Sequence, residues 1–141
     1  MKRAGKERKP KSSVQKLDAQ KLPSELRRAF RGAANPETKK SYEAYMRYQE
    51  EYLGLKAPAV ITITKKIIAP YSAEELDGVW QRLIQSRYAE EKFAGIVIYQ
   101  FKILKNSDKS WRKDLKSIAS LVNDNHVFWW ATCDGLAGRV V

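Results

Sequence analysis

The sequence has one cysteine and one histidine in 141 residues, Cys133 and His126. A single cysteine cannot close an internal disulfide, which fits a reducing compartment. A structural zinc needs three or four ligands drawn from cysteine, histidine and carboxylates, so these two side chains do not make one. A Cys–His catalytic pair is formally possible. The two lie seven apart on one expected helix and its lead-in, with no third group to orient them, so a buried thiol and a surface imidazole are expected. Long apolar runs are also missing. The longest uncharged stretches, such as 93–101, reach about half of the ~20 residues that a membrane crossing needs. No apolar stretch follows Met1, so no secretory signal is expected. The expected location is cytoplasmic, beside a bacterial nucleoid, or nuclear in a eukaryote.

Acidic residues are scarce relative to basic ones. Lysine and arginine total 27 against 16 aspartate and glutamate, a net charge of +11. The excess is concentrated: residues 1–31 carry 11 basic and three acidic side chains. Such a distribution points to a polyanionic partner. Residues 1–11 (MKRAGKERKPK) have almost nothing to bury and are expected to form a disordered basic arm. At 43% hydrophobic, the remainder (12–141) holds enough apolar material for one folded domain.

Local signals in that remainder are mostly helical. Ser12 or Ser13 can cap a short helix bearing Val14 and Leu17, with Pro23 as its stop and Ser24 as the cap of the next, 25–31. Leu26 and Phe30 share a face there. Asn35-Pro36 opens a helix expected to carry Tyr42, Tyr45, Met46, Tyr48, Gln49 and Tyr52 before Gly54 ends it. The run 59–64 (AVITIT) fits a strand by β-branching and a helix by the spacing of Val60, Ile63 and Ile67. Ser72-Ala-Glu-Glu reads as a capping box, leading a helix with Leu76, Val79, Trp80, Leu83 and Ile84 on one face. The segment 89–105 is apolar nearly all round, with acids at its start and lysines at its end, which predicts a buried central helix. A turn at 106–110 precedes 111–122, expected to turn Leu115, Ile118, Leu121 and Val122 inward, and 128–141 closes the chain as a last helix. Helices joined by short turns, in pairs recurring every ~35 residues, predict an all-α helical-repeat solenoid.

Three segments, in order, resemble the AlkD-type family of DNA alkylation repair glycosylases, which are built from HEAT-like, armadillo-type repeats. The first is Asn35-Pro36-Glu37 with Tyr45-Met46 and then Leu53-Gly54-Leu55-Lys56 before Pro58, similar to the family's opening helix and its G-[IV]-[KQ]-x-P turn. The second, Arg87-Tyr88-Ala89-Glu90-Glu91-Lys92-Phe93, resembles the head of the family's central helix. The third, Trp129-Trp130-Ala131-Thr132-Cys133-Asp134, resembles its W-W-D-x-x-D segment. The sequence departs from the family at Ala59, Val60 and Ile61, where an acid and arginines are usual, and at Ala131, where the first aspartate of the tryptophan motif stands. The family is also about half as long again, so a truncated version lacking the C-terminal part is expected.

The resemblance implies a function and a site. The expected reaction is hydrolysis of the N-glycosidic bond of N3- or N7-alkylated purines in duplex DNA, with no metal, no cofactor and no membrane. The resemblance makes Asp134 and Trp130 the catalytic pair, and their four-residue spacing sets both on one helical face. A purine alkylated at N3 or N7 is already cationic and leaves readily. A carboxylate near the developing sugar charge and an aromatic wall against the deoxyribose then suffice. Tyr45 and Lys56 match family positions that face the DNA. The competing expectation is a nucleic-acid-binding helical module without catalysis, a remnant of such an enzyme.

Overall fold

A computed structural model describes residues 18–104, 111–124 and 126. The expected arm 1–11, the Val14/Leu17 helix, the 106–110 turn and the 128–141 helix with Trp130, Cys133 and Asp134 lie outside those residues. The described chain is all-α, its helices packed on one another as in a helical-repeat fold. No strand occurs among the described residues; the one extended pairing is an isolated bridge between Glu51 and Tyr88. None of the described helices is long and apolar enough to cross a membrane.

A 3-10 turn, Ala19–Lys21, is capped by the Asp18 carboxylate, which accepts the Gln20 N–H at 3.0 Å. It leads into α1, Leu22–Ala33. Pro23, expected as a stop, sits in the first turn of this helix, where a residue has no intrahelical use for the N–H that proline lacks. Leu22, Leu26 and Phe30 are fully buried along one face of α1. Helix α2, Pro36–Tyr45, starts as expected: the Asn35 side chain accepts the N–H groups of Glu37 and Thr38. It ends earlier than expected. Arg47 and Tyr48 take φ of 55° and 59°, two successive left-handed residues that turn the chain out of the helix and into an irregular loop, 46–56.

The ambiguous run 59–64 is helical, within α3, Ala57–Ile68. Its buried residues Val60, Thr64 and Ile68 recur every four positions, and Pro58 sits in its first turn. The Ser72 capping box is present: its hydroxyl accepts the Glu75 N–H, and the Glu75 carboxylate accepts the Ser72 N–H. The expected single helix after it is broken in two, α4 (Ala73–Leu76) and α5 (Val79–Ile84), at Gly78 with φ of 88°. Leu76, Val79, Trp80, Leu83 and Ile84 still all face inward.

Helix α6, Ala89–Ile98, is the buried central helix, and it packs against α5, α3 and α1. It continues into a π-helical turn, Tyr99–Ile103, that places the Tyr99 ring edge-on to Trp80 with centroids 4.6 Å apart. Gly95 makes the α5–α6 contact possible: a Cβ there would lie 2.6 Å from the Trp80 carbonyl oxygen. The last described helix, α7, is Trp111–Asn123. Ile118 and Leu121 point inward as expected, but Leu115 is 47% exposed and Val122 is also exposed. Asp114 takes the inward place instead, and the Tyr99 hydroxyl donates to its carboxylate at 2.7 Å. This buried bond helps raise the Tyr99 phenol well above its ordinary range, burial being the larger cause.

Candidate nucleic-acid interface

The expected Tyr45 and Lys56 stand at the two ends of the loop 46–56, which two carboxylates, Glu90 and Glu43, hold in place. Glu90, in the first turn of α6 and only 4% exposed, accepts the backbone N–H groups of Leu53, Gly54 and Leu55 at 2.7, 2.9 and 3.1 Å. Three donors on one anion replace the water that burial removes. From α2, Glu43 accepts from the Tyr52 N–H and from Lys39, whose ammonium also donates to the Tyr52 carbonyl at 2.9 Å. Burial pushes the Glu43 carboxyl up, but the hydrogen bonds from Lys39 and Tyr52 outweigh it and hold the group below the usual carboxylate range. The Asn35 N–H donates to the Gly54 carbonyl at 2.9 Å.

Two hollows flank this loop. The first, about 240 Å³, lies between α2, α3 and α6 and is walled by Tyr42, Tyr52, Leu55, Val60, Phe93 and Ile96, with Glu50 and Glu90 at its edge. The rings of Tyr42 and Tyr52 meet edge to face at 5.4 Å. Burial, with the nearby Glu50 and Glu90 charges, pushes the Tyr52 phenol up to about 12. The second is a groove of about 350 Å³ between the loop and the segment that enters α6. Tyr48, Glu50 and Glu51 form one bank; Ser86, Arg87, Lys92 and His126 form the other.

Lys92 joins that groove to the end of the described chain. Its buried ammonium donates to the Ile84 carbonyl at 2.7 Å and to the His126 carbonyl. Burial lowers its pKa and the Glu50 charge works against that. His126 therefore reaches the groove wall eight residues ahead of Asp134. Arg87 is exposed at the rim, 3.7 Å from the Glu51 carboxylate, and donates to the Tyr88 hydroxyl at 2.8 Å.

Tyr45, at the C-terminal end of α2, is 73% exposed. Lys56, at the N-cap position of α3, is exposed as well. The fold thus keeps both side chains at the surface, one at each end of the loop. Trp130 and Asp134 are outside the described residues. Arg87, Lys92 and Glu90 are not among the expected site residues, although all three belong to the Arg87–Phe93 segment. The acid at position 90 is legible only as a dipole partner of its helix; its grip on a loop 36 residues away leaves no local signal.

Among the described residues no group of histidine, cysteine and carboxylates is arranged to hold a metal ion. A protein-family model described as DNA alkylation repair enzyme matches residues 26–141. No curated protein and no solved structure matches the chain.

Proposed function

The chain belongs to the DNA alkylation repair enzyme family, and from that membership and its role in DNA repair we propose that it is a glycosylase acting on N3- and N7-alkylated purines in duplex DNA. The observation that carries this reading is the extent of the match. It takes in Trp130, Asp134 and every residue that lines the groove.

The proposed chemistry asks little of the protein. Alkylation has already placed a positive charge on the purine. As the bond from N9 to C1′ breaks, the electron pair neutralises the ring and the charge moves to the sugar. The Asp134 carboxylate stabilises that charge and orients the water that adds to C1′, whose proton passes to the carboxylate or to solvent. The Trp130 ring walls the deoxyribose. Tyr45 and Lys56 hold the duplex at the loop: an exposed aromatic ring offers a face to sugar or base, and an ammonium offers a phosphate partner. The test is release of 7-methylguanine from methylated duplex DNA by the wild-type chain, with undamaged duplex as control.

A further inference from the structure

Four arginines gather where α1 meets the entry to α6. Arg27, Arg28 and Arg31 come from α1, and Arg87 from the segment before α6. The guanidinium carbons of Arg27, Arg31 and Arg87 stand 5.0, 5.8 and 4.9 Å from the centroid of a single ring, Tyr88. The Tyr88 hydroxyl accepts from Arg87 at 2.8 Å and from Arg31 at 3.2 Å. The bond from Arg87 pulls the phenol below its ordinary range; burial opposes this, and Arg31 adds to the lowering.

Among the described residues, compensation for these positive charges is incomplete. The Arg27 fork closes on both oxygens of the buried Glu91, which also accepts from the Ser86 hydroxyl, so this arginine is committed to the fold. Among the described residues Arg87 pairs with the exposed Glu51 at 3.7 Å. Arg28 and Arg31 enter no ion pair among the described residues. Like charges held this close repel, and an anion arriving from solution relieves the repulsion. With Pro23 and Ser24, the three α1 arginines line a surface hollow of about 340 Å³. Arg87 also belongs to the groove beside the loop 46–56. Through the Tyr88 ring that they share, Arg87 on the basic bank of the groove, opposite Glu50 and Glu51, adjoins Arg31 and the arginine face of α1.

We propose that Arg28, Arg31 and Arg87 form a phosphate track that carries the backbone of duplex DNA out of the groove and across α1. The inference rests on duplex DNA being the partner, as proposed above, and adds a contact outside the Trp130–Asp134 region. Guanidinium forks suit phosphodiester oxygens, and a row of them across two elements suits a repeating polyanion rather than one small ion. A membrane surface fits poorly, because the apolar residues of α1, Leu22, Leu26 and Phe30, are fully buried and leave nothing to insert.

The experiment compares the full chain with an Arg28→Gln/Arg31→Gln double variant, measuring affinity for an undamaged fluorescent duplex across a salt series. Each lost phosphate contact lowers the slope of log affinity against log salt by about 0.9, so the double variant should flatten it by about 1.8. Arg28→Lys/Arg31→Lys should restore most of it, and circular dichroism should show both variants folded, since both side chains are exposed and Arg31 gives up only its contacts with Tyr88. An unchanged slope overturns the track. So does an unchanged slope accompanied by lost binding to anionic lipid vesicles, which would assign the patch to membranes. Undamaged DNA keeps the test separate from catalysis. A chain that excises nothing yet shows the flattened slope defeats the glycosylase reading and leaves the track standing.

Discussion

The Glu90 carboxylate grips the Gly54 N–H at 2.9 Å across 36 residues of sequence, tying the turn ahead of Lys56 to the first turn of the central helix. The same oxygen also accepts from Leu55, and the other accepts from Leu53. Glu90→Gln leaves one oxygen for three donors and turns an NH₂ group towards an N–H. Loss of charge-assisted bonds at a buried site should cost about 3 kcal/mol, read by urea unfolding. A loss below about 1 kcal/mol would show that the loop is held mainly by Glu43 and Lys39.

Gly54 itself has φ of 117°, and a Cβ there would lie 2.5 Å from the Asn35 carbonyl oxygen. Gly54→Ala should therefore destabilise by more than the ~1 kcal/mol of a misplaced backbone alone, since Asn35 must also move. Gly95→Ala should destabilise by about 1–3 kcal/mol, because its Cβ meets the Trp80 carbonyl and the Leu83 and Ile84 side chains across the α5–α6 contact. Gly32, in α1, is the control, since a methyl group there would have nothing within 4 Å. Gly32→Ala should stabilise by up to ~1 kcal/mol through helix propensity. Parallel melts of the three variants check the ordering.

Much of this architecture is legible from residues that speak locally. Asn35-Pro36 and Ser72-Ala-Glu-Glu begin helices because their side chains satisfy the first backbone N–H groups, and a segment as apolar all round as 89–105 suits a buried helix. What is not legible depends on distant partners. Nothing near position 114 says that Tyr99 will draw Asp114 inward and leave Leu115 outside. Nothing near position 47 says that two non-glycine residues will turn left-handed and end α2 early. The segment 87–93 is one of the three that carry the family resemblance, yet the contacts of Arg87 and Glu90 there, with Tyr88 and with the loop, leave no local signal.

Alkaline pH should test the first hollow. Tyr52 titrates near 10 when unfolded and at about 12 in the fold, so the folded state holds its proton more tightly. The corresponding stability is fully present below pH 10 and is lost as pH rises towards 12. Tyr52→Phe should remove part of that alkaline loss while leaving stability at neutral pH little changed. An identical alkaline decline in wild type and variant would locate the titration at another phenol.

Lys56→Ala and Tyr45→Ala should change stability by less than ~0.5 kcal/mol, because both side chains are exposed. Both should weaken binding to duplex DNA. Lys56→Ala should also lower the salt slope by about 0.9, as one phosphate contact is lost, whereas Tyr45→Ala should leave the slope intact and weaken binding at every salt concentration. Equal slopes for wild type and Lys56→Ala would remove Lys56 from the interface.

The proposed role of Asp134 is tested most directly by comparing wild type with Asp134→Asn on methylated duplex DNA, following 7-methylguanine release under single-turnover conditions alongside duplex affinity. The amide keeps the shape of the side chain and removes the negative charge proposed to stabilise the cationic sugar. The expected outcome is a loss of roughly 10²–10³ in the excision rate, about 3–4 kcal/mol of transition-state stabilisation, with affinity for the duplex unchanged or slightly improved. Excision at the wild-type rate by Asp134→Asn, in a chain that folds and binds DNA, would contradict that role.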